Sequence, residues 1–238
     1  MKNILITSGG TKEYVDEVRV LTNISTGKLG AMIADTILMN TPSKDGFPAC
    51  HVHFVYVKGS ERPKHERSFK GLQGMTLYEV TDVKSVYDIM EKLVPEMDVV
   101  IHPMAVSDFG FKPIATKLKS NDPQAFIESM RERIYQTPKI LAKIKVWNPK
   151  CFLISFKFEN GLSHDNLISI AMESMNKNKC DVVIANDKAE MKSLGRHRAY
   201  FLQRCIGIDH EITKNIWDKT LESKEEITIE IYNTINNL

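Results

Sequence analysis

The chain has 238 residues, 42% of them hydrophobic, with 32 lysines and arginines against 30 aspartates and glutamates. That length and apolar content suffice for a substantial core, while a formal net charge of +2 supplies no bulk attraction to nucleic acid or an anionic membrane surface. No apolar run approaches the ~18 residues of a membrane span, and Met1 to Gly10 is too short and too soon broken by Gly9-Gly10 for a signal peptide. The four cysteines (Cys50, Cys151, Cys180, Cys205) show neither C-x-x-C nor His-rich spacing. A cytoplasmic protein with reduced, mostly buried thiols and no metal-ligand set of its own is therefore expected.

In chain order, Ile4-Leu5-Ile6 is a short β-rich run, followed by Ser8-Gly9-Gly10-Thr11. Leu29, Ile33, Ala34, Ile37 and Leu38 then recur at helical spacing, which predicts a helix over 28–39 starting at Ser25 to Lys28. Residues 40–50 read as a surface turn, Val52–Val57 as a strand, and 58–74, rich in charge and glycine, as a mobile excursion. Val83, Val86, Tyr87, Met90, Leu93 and Val94 predict a helix over 83–94, and Val99–Ile101 a strand. From 110 to 136 the period is ambiguous: Phe126, Met130 and Ile134 suit a helix, whereas alternation through Phe126, Glu128, Met130 and Glu132 suits a strand. A helix over 138–146 is expected with Thr137 as N-cap and Pro138 at its first position. Phe152–Phe156 and Val182–Ala185 read as strands on either side of a helix over 166–176. Ala199–Leu202 returns to β, and a last helix starts near Lys224, capped by Ser223 with Glu226 three residues on. Without a linker or repeat, this alternation predicts one α/β domain over 1–238: a doubly wound, mainly parallel sheet with helices on both faces and ligands at the carboxyl ends of strands.

The densest polar stretch is Ser8 to Gly30. A helix start has N–H groups without intrahelical partners and a positive dipole end, so Ser25, Thr26, Gly27 and Lys28 form a candidate phosphate site; the plain alternative is a simple N-cap and turn. It is not a Walker A loop, since Leu29 follows Lys28 and Thr22 stands where the first glycine belongs, and G-x-G-x-x-G is absent. The same connection carries Arg19, Asn23 and the hydroxyls of Ser8 and Thr11. Three other strand ends deliver polar clusters: His102 through Ala105, Ser107 and Asp108; Ser155-Phe156-Lys157-Phe158-Glu159; and Ala185-Asn186-Asp187-Lys188. Each could also be an ordinary strand end or turn. Lys112, Lys117 and Lys119 gather in a loop that could bring a cation onto a polyphosphate.

Taken in order, Ser8-Gly9-Gly10-Thr11, Asp16-x-x-Arg19-x-x-x-Asn23-x-Ser25-x-Gly27-x-x-Gly30, Ala105-Val106-Ser107-Asp108, Lys117-Leu118-Lys119-Ser120, Phe156-Lys157-x-Glu159 and Ala185-Asn186-Asp187 closely resemble phosphopantothenate-cysteine ligase, over nearly the whole chain. The resemblance implies a Rossmann-like fold and a ligase that joins 4'-phosphopantothenate to L-cysteine in coenzyme A biosynthesis. Activation by CTP, or by ATP as in eukaryotic relatives, with Mg²⁺ is implied too, as is a homodimer. It implies that Asn23 holds the acyl-nucleotide intermediate beside Arg19, that Lys117 belongs to a flexible flap, and that Gly9, Gly10, Ala105 through Asp108, Phe156, Lys157 and Asn186 contact nucleotide. Lys177 can fill one of two lysine positions near the nucleotide, with Glu173 or Ser174 in the other place, so CTP and ATP both stay open. The flavin-dependent decarboxylase to which many bacterial relatives are fused is expected to be a separate protein. For 124–134 the resemblance implies strand. Two rivals remain: a nicotinamide-dependent reductase, whose Tyr-x-x-x-Lys pair could only be Tyr135 and Lys139, and a nucleotide-sensing module without catalysis.

Overall fold

The computed structural model describes residues 1–41, 43–44, 47–65, 68–69, 72–114, 117–118, 121–206 and 212–238. Their central sheet has eight strands: β1 (Lys2–Ser8), β2 (Cys50–Val57), β3 (Met75–Val80), β4 (Val99–His102), β5 (Phe152–Glu159), β6 (Val182–Asp187), β7 (Ala199–Ile206) and β8 (Ile212–Leu221). Across the sheet they run β8-β7-β6-β5-β4-β1-β2-β3. β1 to β6 are mutually parallel, and β7 and β8 are each antiparallel to their predecessor. The helices are α1 (Lys28–Asn40), α2 (Val83–Leu93), α3 (Pro123–Arg133), α4 (Ile140–Trp147), α5 (His164–Asn178), α6 (Lys188–Leu194) and α7 (Lys224–Asn236).

Period-two alternation along each central strand sorts the core into two layers. Ile4, Ile6, Phe54 and Ile101 pack against Ile33 and Ile37 of α1 and Ile227, Ile231 and Ile235 of α7. Leu5, Val55, Val100, Leu153 and Val183 face the other way, against Val86 and Met90 of α2, Ile140 and Ile144 of α4, and Leu167 and Ala171 of α5. The sheet is thus covered on both faces, the doubly wound Rossmann-like arrangement expected. Chain order reverses between β1 and β4, and the crevice that opens there at the carboxyl ends is where such sheets bind ligands. Cys50, Cys151 and Cys180 are buried, and burial pushes the Cys151 and Cys180 thiols up to about 11.

Two expectations fail. Residues 124–134 are not strand: Asp122 accepts a hydrogen bond from Ala125 N (3.0 Å), Pro123 occupies the first turn, and α3 follows. Only Ile134–Gln136 is extended, paired antiparallel with Phe109–Phe111. Thr137 does not cap α4, because its hydroxyl donates to Ser107 O (2.5 Å) and the helix begins two residues beyond Pro138. Three short hairpins are additions: Lys12–Asp16 with Arg19–Thr22, inserted between β1 and α1, Ser43–Lys44 with Phe47–Pro48 inside the expected 40–50 turn, and Ser68–Phe69 with Leu72–Gln73 inside the expected 58–74 excursion.

Candidate functional site

α1 starts where the sequence pattern puts it. Gly27 is its N-cap at φ 81°, a left-handed conformation that costs a side-chain-bearing residue dearly, and the Thr26 hydroxyl before it accepts from Lys28 N (3.2 Å). The first turn contains no acidic residue. By contrast α2, α3, α5, α6 and α7 are each capped by an Asp or Ser side chain. Ser8, at the end of β1, donates to Gly27 O (2.9 Å) and so pins this helix start to the sheet. Gly30 allows the same approach: a Cβ there would lie 2.6 Å from Ser8 Oγ and 2.8 Å from Ser8 Cβ.

The loops after β1 and β4 are zipped together across the crevice. Thr11 N donates to Ala105 O (3.1 Å) and Ala105 N to Gly9 O (2.9 Å), with Gly10 and Ala105 bridged in parallel. Beneath them the buried His102 ring meets Thr7 Oγ1 at 2.8 Å, and burial lowers its pKa to about 4. This loop pair therefore has a neutral, rigid foundation.

A cavity of about 340 Å³ opens over the α1 start, lined by Ser8, Gly9, Ile24, Ser25, Thr26, Gly27, Lys28, Leu29, Gly30, Pro103, Ala105, Phe156, Phe158, Asn186, His197 and Lys224. It brings together eight of the predicted positions: Gly9, Ser25, Thr26, Gly27, Lys28, Ala105, Phe156 and Asn186. Asn186 is buried, its amide donating weakly to Met191 Sδ (3.1 Å), which leaves its carbonyl oxygen for a ligand.

Other predicted positions stand apart from this cavity. Lys157 follows Phe156 on β5 and so faces the opposite side of the sheet, where it pairs with Glu159 (2.8 Å). Lys177 is in the last turn of α5, about 20 Å along the helix from its start at the carboxyl edge. Ser107 is buried and structural, its N–H donating to Thr11 Oγ1 (2.9 Å) and its hydroxyl to Phe109 O (2.8 Å). Asp108 is exposed and pairs with Lys139 (2.5 Å). Gly10 is taken up by the loop bridge. Lys139 is the residue before α4 while Tyr135 lies in a strand, so the reductase pair does not share a helical face.

Asn23, Arg19 and Lys117 do not line this cavity either. Asn23 is exposed between the 12–22 hairpin and α1, its carbonyl accepting from Ser25 N (2.9 Å). Arg19 pairs with the buried Asp16 (2.5 Å) and donates to Leu118 O (3.2 Å). Asp16 also accepts from Val18 N, Arg19 N and Leu118 N at 2.9–3.1 Å. Burial works to raise the Asp16 carboxyl, but the three N–H groups and the guanidinium outweigh it and hold it below the usual range. Leu118 is thereby tied to the hairpin through Asp16 and Arg19, and Lys117, next to it in the chain, is exposed. Lys119 lies outside the described residues. On the hairpin's other side Glu13 accepts from Val83 N (2.8 Å), and its carboxyl is raised, mainly by burial.

Ile24, His197 and Lys224 also line the cavity, as do Pro103 and Phe158 from the strand-end clusters, and none of the five was given a role by the sequence. Phe158 was readable, since it shares Phe156's face by alternation. His197 and Lys224 were not, because they flank the β7–β8 hairpin and reach the cavity only through its reversal. His197 is half-buried, and burial and the Lys224 charge push its pKa down, partly opposed by Glu225. Among the described residues no three His, Cys, Asp or Glu side chains gather as a metal cage, and no helix is long and apolar enough to cross a membrane.

Residues 1–238 match the family described as DNA/pantothenate metabolism flavoprotein C-terminal domain. The chain is 31% identical over 231 residues to the coenzyme A biosynthesis bifunctional protein CoaBC of Thermococcus kodakarensis, covering 92% of this chain and 50% of that protein. It thus spans half the length of that relative. Among solved structures, the DNA/pantothenate metabolism flavoprotein of Streptococcus pneumoniae has a TM-score of 0.76 and 30% identity, with 100% of this chain and 99% of that one covered. A Cab2 variant in complex with phosphopantothenate-cysteine shares the fold at TM-score 0.68 and 17% identity, over 98% of this chain and 87% of its own. The match over 1–238 decides the assignment: the chain belongs to the DNA/pantothenate metabolism flavoprotein C-terminal domain family.

Proposed function

We propose that this chain, acting as one domain, joins 4'-phosphopantothenate to L-cysteine in coenzyme A biosynthesis, through an acyl-nucleotide intermediate and with release of pyrophosphate. The observation that carries the reading is the cavity at the β1/β4 crevice, where the α1 start, with no acid in its first turn, meets Ala105, Phe156 and Asn186. The coenzyme A role named for CoaBC and the phosphopantothenate-cysteine bound to Cab2 support it. A carboxylate is a poor electrophile and must first attack an α-phosphate. The work then falls to cations facing the departing pyrophosphate and to positioning of the cysteine amine, with no protein nucleophile. Lys117 and Arg19 supply the cations, and Asn23 the neutral donor at the acyl end. The nucleotide, CTP by preference with ATP as alternative, enters as its magnesium complex with the metal held mainly by phosphate oxygens.

The chain acts as a homodimer in this reading. Val18, Val20, Leu21, Ile24, Phe109 and Ile127 are exposed apolar side chains on the 12–22 hairpin, its exit, the 109–111 strand and α3, and α3 has no buried residue. Such a surface suits a second copy better than water.

The test incubates the protein with phosphopantothenate, Mg²⁺ and CTP or ATP, with and without cysteine. Phosphopantothenate-dependent pyrophosphate release and a cysteine adduct by mass spectrometry are expected. Nucleotide binding without pyrophosphate release would refute the ligase in favour of a sensing module.

A further inference from the structure

Two helices aim their first turns at the same cavity. α1 and α7 pack side by side on one face, and Tyr232, near the end of α7, donates to Asn40 O at the end of α1 (2.8 Å). They therefore run parallel, both starting at the carboxyl edge of the sheet. Lys28 is the first residue of one and Lys224 the first of the other, and both line the cavity. Packed helices lie about 8–10 Å apart, so an anion seated on the α1 start is within reach of the flexible stem of Lys224.

The two helix starts are not equivalent. In α7 Ser223 Oγ accepts from Glu226 N (3.1 Å) and Glu226 Oε2 from Glu222 N (2.8 Å), so this start is already satisfied and acidic. The α1 start has no acid in its first turn, and the one side-chain acceptor that meets it among the described residues is the exposed Thr26 hydroxyl, which takes Lys28 N (3.2 Å). Lys224 itself makes no ion pair among the described residues, and beside it stands the half-buried His197, a neutral ring able to donate one hydrogen bond. Pro103, Phe156 and Phe158 make much of the remaining wall apolar. A branched aliphatic arm ending in a phosphate dianion fits such a wall and two lysines better than a nucleobase with a triphosphate does.

We propose that Lys224, with His197 beside it, is a specificity-determining residue that reads the 4'-phosphate of phosphopantothenate from the side opposite the α1 start; this rests on the ligase reading above. The nucleotide then approaches from the side of Asn23 and Lys117. Lys224 thus selects the phosphorylated acid over pantothenate and takes no part in nucleotide affinity.

Steady-state kinetics on the full chain test this with Lys224→Gln, His197→Asn and the rescue variant Lys224→Arg, each checked for an unchanged melting temperature. Loss of a charge-assisted hydrogen bond should raise KM for phosphopantothenate about 10- to 100-fold in Lys224→Gln. KM for nucleotide should stay put, kcat should change little, and the preference for phosphopantothenate over pantothenate should fall by a similar factor. Lys224→Arg should restore most of the loss, and His197→Asn should show a smaller shift in the same direction. An unchanged preference in Lys224→Gln, or a rise in nucleotide KM instead, overturns the assignment while wild-type turnover leaves the ligase reading standing. Absence of wild-type turnover together with absence of phosphopantothenate binding by calorimetry removes both.

Discussion

Substituting Gly30 with alanine probes how closely α1 must sit on β1, and its sign separates packing from propensity. A Cβ at Gly30 would lie 2.6 Å from Ser8 Oγ, 2.8 Å from Ser8 Cβ and 3.2 Å from Thr7 O. Two of these atoms belong to, or hang directly on, the β1 backbone and cannot swing away. Carbon contacts settle near ~3.5 Å, so α1 must lift by roughly 0.7 Å. Overpacking of this kind costs about 1–3 kcal/mol, here at the upper end because the neighbours are rigid. Alanine's better helix propensity returns about 1 kcal/mol. The net loss is about 2 kcal/mol, or about 4–8 °C in Tm for a chain of this length. The lift also stretches the Ser8 hydrogen bond to Gly27 O and moves the α1 start away from its ligand, which should lower kcat/KM about tenfold or more. Chemical denaturation and pyrophosphate-release kinetics read the two effects. Ser8→Ala in the Gly30→Ala background removes the 2.6 Å contact and should recover part of the stability but not the activity. A Gly30→Ala protein with unchanged or raised Tm would refute this account, since propensity alone predicts that outcome.

Three further outcomes are expected. Lys117→Gln should depress pyrophosphate release itself while leaving the melting temperature unchanged; formation of acyl nucleotide at the wild-type rate would give Lys117 another role. Asn23→Asp replaces a donor with a negative charge beside the developing oxyanion, a change worth about 10²- to 10³-fold in the transfer step, so rapid-quench chromatography should show acyl nucleotide accumulating with cysteine present; equal loss of both half-reactions would make Asn23 a loop-structuring residue. The Asp16 carboxyl is held below its ordinary value, so its tie to Arg19 and Leu118 is complete above the unfolded-state pKa of about 3.9 and is lost as pH falls through the lower folded value. Amide exchange at Leu118 should therefore stay protected at neutral pH and open only in acid, and an opening near pH 6 would contradict the structure.

The sheet was legible in the sequence because a strand covered on both faces is an uninterrupted apolar run, as in Ile4-Leu5-Ile6 and Val99-Val100-Ile101. The α1 start was legible because glycine, hydroxyls and a 3.6-residue period meet at Ser25 to Lys28, a local coincidence that local chemistry explains. For α3 the periodicity fitted helix and strand alike and the resemblance implied strand, but the Asp122-Pro123 helix start decides for helix. What no local pattern contains is distance across the fold. Phe156 and Asn186 meet the α1 start because parallel crossovers return every strand to one edge. Lys177 misses it because α5 carries that residue to the far end of the same crossover. Asp16 meets Leu118, 102 residues away, only through the folded hairpin. His197 and Lys224 reach the cavity because the β7–β8 hairpin reverses the chain and α7 lies beside α1. Sequence by itself determined the central strands, most of the helices and the position of the α1 start, which depend on neighbours in the chain. The tertiary structure alone decided which charges share that start, because packing two helices in parallel is what brings Lys28 and Lys224 to one cavity.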